Sequence, residues 1–338
     1  MGSPQYNITL ENTNSIKGIA IIAMLVHHLF YQHPEFGPIT YQLGKIGKVC
    51  VAMFLFLSGY GLSLQYKKVI TNRNSHWIKT TIRFLYKRFI KFYMNYWVIF
   101  LIAVPIGIFI YGRSLEIPYG IEKTLPIMLI RDFMGLNGLA SYNITWWFNR
   151  LILTLYLFFP LLYFLTRNKY LGLLILAVSY RYPNYFPFIL GIATASHIED
   201  INKVLRWATP HLLLICTVIA LILLCIARQH SPIPYTNGVF LDGIISALIS
   251  LIIVCISKFG YFDLRLLKIL GTHSMNMYMI HSFIYYYFYS QFIYSFKYPI
   301  LIFSALLIIS LSLSLAIESV KRYAGCYQVQ QNLISIVD

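Results

Sequence analysis

Eight separate stretches of this chain, near residues 16–32, 46–65, 92–111, 145–165, 210–227, 239–257, 269–294 and 298–318, are apolar and almost free of charge. A helix crossing the roughly 30 Å hydrocarbon layer of a bilayer needs about 20 mostly apolar residues. In that layer every backbone polar group must be satisfied within the protein. Runs this long satisfy themselves as helices, so the chain is expected to fold as an all-α, polytopic membrane bundle. Composition agrees: 58% of the residues are hydrophobic and 11% charged, against about 25% charged in soluble domains. A soluble enzyme is excluded, and so is disorder, because there is ample apolar surface to bury.

Two further apolar stretches, 169–180 and 184–196, are short and interrupted by Arg181, Pro183 and Pro187. They read as one kinked crossing or two short ones, and charge decides between them. Cytoplasmic loops carry an excess of Lys and Arg. Lys67, Lys68, Arg73, Lys79, Arg83, Lys87, Arg88 and Lys91 fall between the second and third crossings, which places that segment and the N-terminus in the cytoplasm. With two crossings in 169–196, seven later basic residues fall inside and two outside; with one crossing the count reverses. Ten transmembrane helices with both termini cytoplasmic are therefore expected. The 27 basic residues then divide 18 inside and 9 outside, so the net charge of +16 follows membrane sidedness and gives no reason to invoke nucleic acid.

Residues 1–338 read as a single integral-membrane domain with a basic inner segment (66–91) and an outer loop (112–144). Met1 to Ser15 has neither the basic start nor the apolar core of a signal peptide, and Tyr6 stands where a myristoylation signal needs Ser or Thr. Cys50, Cys216, Cys225 and Cys255 lie in apolar runs and read as small buried hydrophobes. No Gly-rich phosphate loop and no metal-ligand spacing is present, so no metal and no permanently bound cofactor is expected.

Ionisable residues inside a crossing are functional candidates. Lys17 and His28 are 11 residues apart on the first helix, about three turns and 16 Å of rise, so they share a face, with His28 about halfway through the membrane. His27 sits about 100° away. A snorkelling Lys with two histidines hydrogen-bonded inside the bundle is one reading. A proton-transfer residue is the other, since His is readily poised near neutral pH. Lys79, Arg83, Lys87 and Lys91 recur every four residues beside Ile78, Ile82, Leu85 and Phe89, the pattern of a helix lying on the cytoplasmic interface. Such a helix binds anionic lipid at about 1 kcal/mol per basic residue. Trp146, Trp147 and Arg150 open the fourth crossing from outside, where Trp is usually an interface anchor; Asp132 or Asp242 is expected to pair with Arg150.

Lys17-x10-His28 resembles the Arg-x10-His motif of acyltransferase family 3, multi-pass enzymes that modify surface glycans. Phe54-Leu-Phe-Leu-Ser58-Gly59-Tyr60, Lys87-Arg88-Phe-Ile-Lys91-Phe-Tyr93, Trp147 through Tyr156 to Pro160, and Leu270-Gly271-Thr-His-Ser274-Met-Asn-Met-Tyr278-Met-Ile-His281 are similar, in order, to four other stretches of that family. There are departures. Lys17 and Lys91 stand for Arg, which loses bidentate geometry, and Tyr93 stands for Pro. Ile152 and Leu153 occupy positions where many members carry Glu, and nothing follows the tenth crossing where some members add a soluble domain.

The resemblance implies transfer of an acyl group, commonly acetyl, from cytoplasmic acyl-CoA as co-substrate to a hydroxyl of a surface or lipid-linked glycan. The setting would be a cell membrane, the bacterial cytoplasmic one. His28 would be the general base with Lys17 on its face, or alternatively carry the acyl group itself. Arg88, Lys91 and Lys87, with Lys17, would meet the CoA phosphates, and Ser58 would offer the donor a hydroxyl. Trp147 and Arg150 would face the acceptor, with Tyr278 and His281 beside them. Partners would be acyl-CoA, the glycan and membrane lipid; self-association is left open. A transporter or flippase for a sugar or lipid-linked substrate is the competing class, because short, Pro-interrupted crossings are a transporter feature. A non-catalytic sensor or scaffold on the same fold is a weaker one.

Overall fold

The computed structural model describes residues 5–71, 76–120, 124–182, 184–230, 237–260 and 263–337. Arg73 and Pro183 lie outside them. Every regular element among the described residues is helical. Apart from short 3-10 turns at Pro34–Phe36, Gly138–Ala140 and Ile144–Trp146, these are in order α1 (Leu10–Phe30), α2 (Pro38–Gly47), α3 (Val49–Thr71), α4 (Trp77–Phe109), α5 (Glu116–Tyr119), α6 (Leu125–Phe133), α7 (Trp147–Arg167), α8 (Lys169–Ser179) and α9 (Phe186–Ser196). There follow α10 (Ile198–Leu205), α11 (Pro210–His230), α12 (Asn237–Phe259), α13 (Arg265–Thr272), α14 (Ser274–Ser282), a π-helical turn Phe283–Phe288, α15 (Ser290–Tyr294), α16 (Pro299–Tyr323) and α17 (Cys326–Ser335).

Seven helical segments among the described residues are long and apolar enough to cross a membrane: Leu10–Phe30, Pro38–Thr71, Trp77–Phe109, Ile144–Arg167, Pro210–His230, Phe240–Phe259 and Pro299–Tyr323. The remaining three expected crossings differ. α8 and α9 are apolar but only 11 residues each, about 16 Å of rise. The stretch 269–294 is divided into α13, α14, the π turn and α15. Single π turns inside helices are rare and recur at functional sites.

Two compact units make up the chain. One comprises Met1–Asn74 and Phe159–Ser274, the other Ser75–Phe158 and Met275–Asp338.

In the first unit small residues bring helix backbones together. A Cβ on Gly59 of α3 would stand 2.1 Å from the Phe188 carbonyl oxygen of α9, and one on Gly191 of α9 the same distance from that of Phe56. Likewise α1 and α13 touch backbone to backbone, at Gly18 against Leu267 and at Gly271 against Asn14. Helices in lipid associate by such close packing, because lipid tails are as apolar as Leu. The start of α1 is set by Thr9, whose hydroxyl accepts from the Asn12 amide at 3.2 Å.

In the second unit an aromatic core dominates: Tyr96, Phe100, Phe133, Trp146 and Phe283 pack with ring centroids 5.2–5.8 Å apart, mostly edge to face. Here the basic segment departs from expectation. Among the described residues of 66–91 there is no separate interfacial helix: α3 runs on to Thr71, and α4 is one continuous helix of 33 residues, about 50 Å long. That length exceeds the hydrocarbon layer by several turns, and Lys79, Arg83, Lys87 and Lys91 lie in the first half of the helix. The buried side of those turns is Thr80, Thr81 and Phe84, while Ile78 and Ile82 are exposed.

Among the described residues of the 112–144 loop, Asp132 is a hub of hydrogen bonds. Its side chain is fully buried and accepts from the Tyr119 hydroxyl and the Tyr142 amide, both at 2.6 Å. The Tyr96 hydroxyl donates to its backbone carbonyl at 2.6 Å. Arg113 lies 3.5 Å from the Tyr287 ring centroid and donates to the Tyr142 carbonyl at 2.6 Å. Lys321, near the end of α16, is buried, and α17 follows that last long helix.

Candidate active site

Lys17, His28 and Ser58 belong to the first unit; Lys87, Arg88, Lys91, Trp147, Arg150, Tyr278 and His281 belong to the second.

Because α1 is unbroken from Leu10 to Phe30, the three-turn relation between Lys17 and His28 holds along a real helix. Both side chains are partly exposed, whereas Ile16, Ala20, Ile21, Met24 and Leu25 are buried. The paired histidines are distinguished by their surroundings. His27 Nδ1 lies 2.8 Å from the Gly44 carbonyl oxygen of α2. A carbonyl only accepts, so Nδ1 carries the proton, and the ring is committed to holding α1 against α2. The ring centroid of His28, one position on, is 5.1 Å from that of His27. On α3, Gly59 has the packing role expected of small residues, but a Cβ on Gly61 would meet nothing within 4 Å. Ser58 lies between buried Leu57 and Gly59, partly exposed.

In the second unit three of the quoted sequence stretches meet. The Tyr278 hydroxyl of α14 donates to the Thr145 carbonyl at 2.5 Å, and the Trp146 indole donates to the Met279 carbonyl at 3.0 Å. Asn143, at the same junction, accepts from the hydroxyls of Thr145 and Ser282, both at 2.8 Å. The start of α7 is thereby fixed on α14. Tyr278 and His281 are neighbours with ring centroids 6.5 Å apart, His281 is fully buried, and its Nδ1 is 2.8 Å from the Tyr278 carbonyl. On α4, Phe89 packs edge to face on Tyr156 of α7, and the Arg88 guanidinium lies 5.3 Å from the Phe84 ring centroid. Lys91 is exposed and Lys87 partly so.

Two expectations at the fourth crossing are corrected. Trp146 is not an interface anchor: it is 1% exposed and bonded within the unit. Arg150 is paired with neither proposed carboxylate. Asp132 accepts from Tyr119 and Tyr142, and Asp242 is engaged by Arg228. Arg150 is exposed, and its aliphatic stem passes over Gly138, where a Cβ would lie 3.5 Å from its Cδ. Trp147 is half-buried. Ile152 and Leu153, which replace the expected Glu, are buried apolar side chains.

A polar node in this unit was not foreseen from the sequence. Lys321 Nζ donates to Asn95 at 2.7 Å, to Asn276 at 2.8 Å and to Glu318 at 2.9 Å. Asn95 also donates to the Lys91 carbonyl at 2.8 Å. Asn276 lies within the late-helix stretch and Asn95 one turn past the basic stretch. Polar residues inside apolar runs were the available signal.

A family model described as an acyltransferase domain matches residues 11–319. The chain belongs to acyltransferase family 3. The match takes in every candidate residue from Lys17 to His281, and with the long apolar helices it makes the protein a membrane acyltransferase. No curated protein and no solved structure matches the chain. Within this acyltransferase, the second unit joins the basic, Trp-containing and late-helix stretches by direct contacts, and the first carries the Lys17–His28 helix.

Proposed function

We propose that this acyltransferase moves an acyl group, acetyl first, from acyl-CoA at the cytoplasmic face of a bacterial cell membrane to a hydroxyl of a surface or lipid-linked glycan. His28 takes the proton of the acceptor hydroxyl as its oxygen attacks the thioester carbonyl. The carbon–sulfur bond then breaks, and the leaving thiolate receives that proton as free CoA. An alcohol is a poor nucleophile at neutral pH, so a positioned base of this kind supplies a typical 10²- to 10⁴-fold, to order of magnitude. Lys17, Arg88, Lys91 and Lys87 meet the CoA phosphates through charge-assisted hydrogen bonds, and Ser58 offers the donor a hydroxyl. Trp147 stacks on the acceptor sugar, and Arg150, Tyr278 and His281 complete its surroundings.

The observation that supports this reading is the unbroken helix α1, on which His28 stands on the face that also carries Lys17, three turns away. We further propose ten crossings with both termini cytoplasmic, α8 and α9 forming the short pair; an even number of crossings there is what the basic residues require.

Membranes carrying the protein, supplied with labelled acetyl-CoA, are expected to release free CoA and gain acetyl esters, and His28→Ala is expected to abolish both. Undiminished transfer by His28→Ala overturns the base. Substrate movement without CoA release favours a transporter.

A further inference from the structure

A second buried polar group, in the first unit, is not used by the reaction proposed above. Arg228 on α11 and Asp242 on α12 have side chains only 9% and 2% exposed. The Arg228 Nε donates to Asp242 Oδ1, and its Nη2 donates to Oδ2 at 3.1 Å. The remaining nitrogen, Nη1, donates to the Lys45 carbonyl at 3.1 Å. The preceding carbonyl, that of Gly44, accepts from His27 Nδ1 at 2.8 Å. Two successive carbonyls in the last turn of α2 are therefore held from opposite partners, α11 and α1.

The last carbonyls of a helix have no partner within it, and here a buried guanidinium and an imidazole supply one each. The fit between α2 and α1 is close: a Cβ on Gly47 would stand 2.4 Å from the Ala23 carbonyl oxygen and 3.0 Å from His27 Cβ, and one on Gly44 would stand 2.8 Å from the Tyr31 amide. α2 thus cannot shift without turning the end of α1 that carries His27 and His28. Burying an ion pair is costly, and such pairs are weak sources of stability compared with apolar packing. Inside a membrane bundle they mark function.

We propose that Arg228 and Asp242 are a positioning pair for the catalytic base. By anchoring the Lys45 carbonyl they fix α2, and through the Gly44–His27 hydrogen bond they set the direction of His28. This rests on the reading of His28 as base.

The test uses the full chain in membranes and in detergent, with Arg228→Gln, Arg228→Lys and Asp242→Asn. CoA release from acetyl-CoA is measured together with the ¹⁵N spectrum of histidine-labelled protein, the His27 signal being assigned by its loss in His27→Asn. Arg228→Gln and Asp242→Asn are expected to lower kcat about 10- to 100-fold, the cost of a small misplacement of a catalytic group, while KM for acetyl-CoA holds. Arg228→Lys keeps the charge on a single donor nitrogen, without the fork that reaches both Asp242 and the Lys45 carbonyl, and is expected to be intermediate. The His27 Nδ1–H signal is expected to leave its hydrogen-bonded position in Arg228→Gln. An unchanged His27 signal in folded Arg228→Gln and Asp242→Asn overturns the clamp, and a displaced signal with unchanged kcat overturns its catalytic purpose. His28→Ala, run alongside, separates the two ideas: retained transfer there refutes the base itself, whatever the His27 signal shows.

Discussion

The Lys321 ammonium lies 2.8 Å from the side-chain oxygen of Asn276, 45 residues earlier in the chain. Asn276 in turn donates to Glu318 at 2.8 Å and to the Ser314 hydroxyl at 3.2 Å, and the Tyr327 hydroxyl closes the node on the other Glu318 oxygen. One amine thus ties α4, α14 and α16 together, and its carboxylate partner adds α17.

Lys321→Met is expected to be strongly destabilising. Removing one partner of a buried pair leaves the other uncompensated, at a cost of about 3–5 kcal/mol. The fraction of protein remaining monodisperse in detergent after heating measures it. The double variant Lys321→Met, Glu318→Leu is expected to recover part of the loss, because the stranded carboxylate is gone.

Asp132 is expected to give the 112–144 loop an acid-favoured stability. Burial pushes its carboxyl above the usual carboxylate range, and the Tyr119 and Tyr142 donors oppose that only in part. A carboxyl with a raised folded-state value is protonated more readily in the fold than in the unfolded chain. Its contribution is full below the unfolded value, about 3.9, and is lost as pH rises through the folded one. Protease resistance of the 112–144 loop should therefore fall as pH rises above about 3.9, the free Asp value. Asp132→Asn, which keeps an oxygen for both donors, should flatten that dependence.

Gly59→Ala and Gly61→Ala are expected to act in opposite directions although they lie two residues apart on α3. The first places a methyl 2.1 Å from the Phe188 carbonyl oxygen, and overpacking of this kind costs about 1–3 kcal/mol. The second meets open space and should gain up to about 1 kcal/mol from helix propensity. Midpoints of heat-induced aggregation in detergent compare them.

Arg88→Gln is expected to raise KM for acetyl-CoA with little change in kcat. Losing a hydrogen bond to a charged group costs about 1.5–3 kcal/mol, roughly a tenfold or greater rise. Transfer rates against acetyl-CoA concentration measure it, and an unchanged KM would remove Arg88 from the donor site.

The membrane class, the seven long helices and the family were all legible in the stretch from Ile16 to Glu318, because length and apolarity are properties of each segment alone. The basic segment was legible as charge but not as shape. The i,i+4 spacing of Lys79, Arg83, Lys87 and Lys91 is the same whether those turns lie on an interface or extend a crossing helix, and only the unbroken helix from Trp77 to Phe109 distinguishes the two. Arg150 shows the same limit. Two carboxylates were available by depth, and both proved to be taken by other partners.

The sequence by itself determined that the chain is a helical membrane protein and set the spacing of Lys17 and His28 on one helix. Those are one-dimensional facts: apolar length and helical period. The tertiary structure alone decided that His27 serves α2, that Arg228 is spent on Asp242 and the Lys45 carbonyl, and that Lys321 is buried against Asn95 and Asn276. A buried polar atom must find a partner, but which partner depends on how helices distant in sequence come to lie side by side.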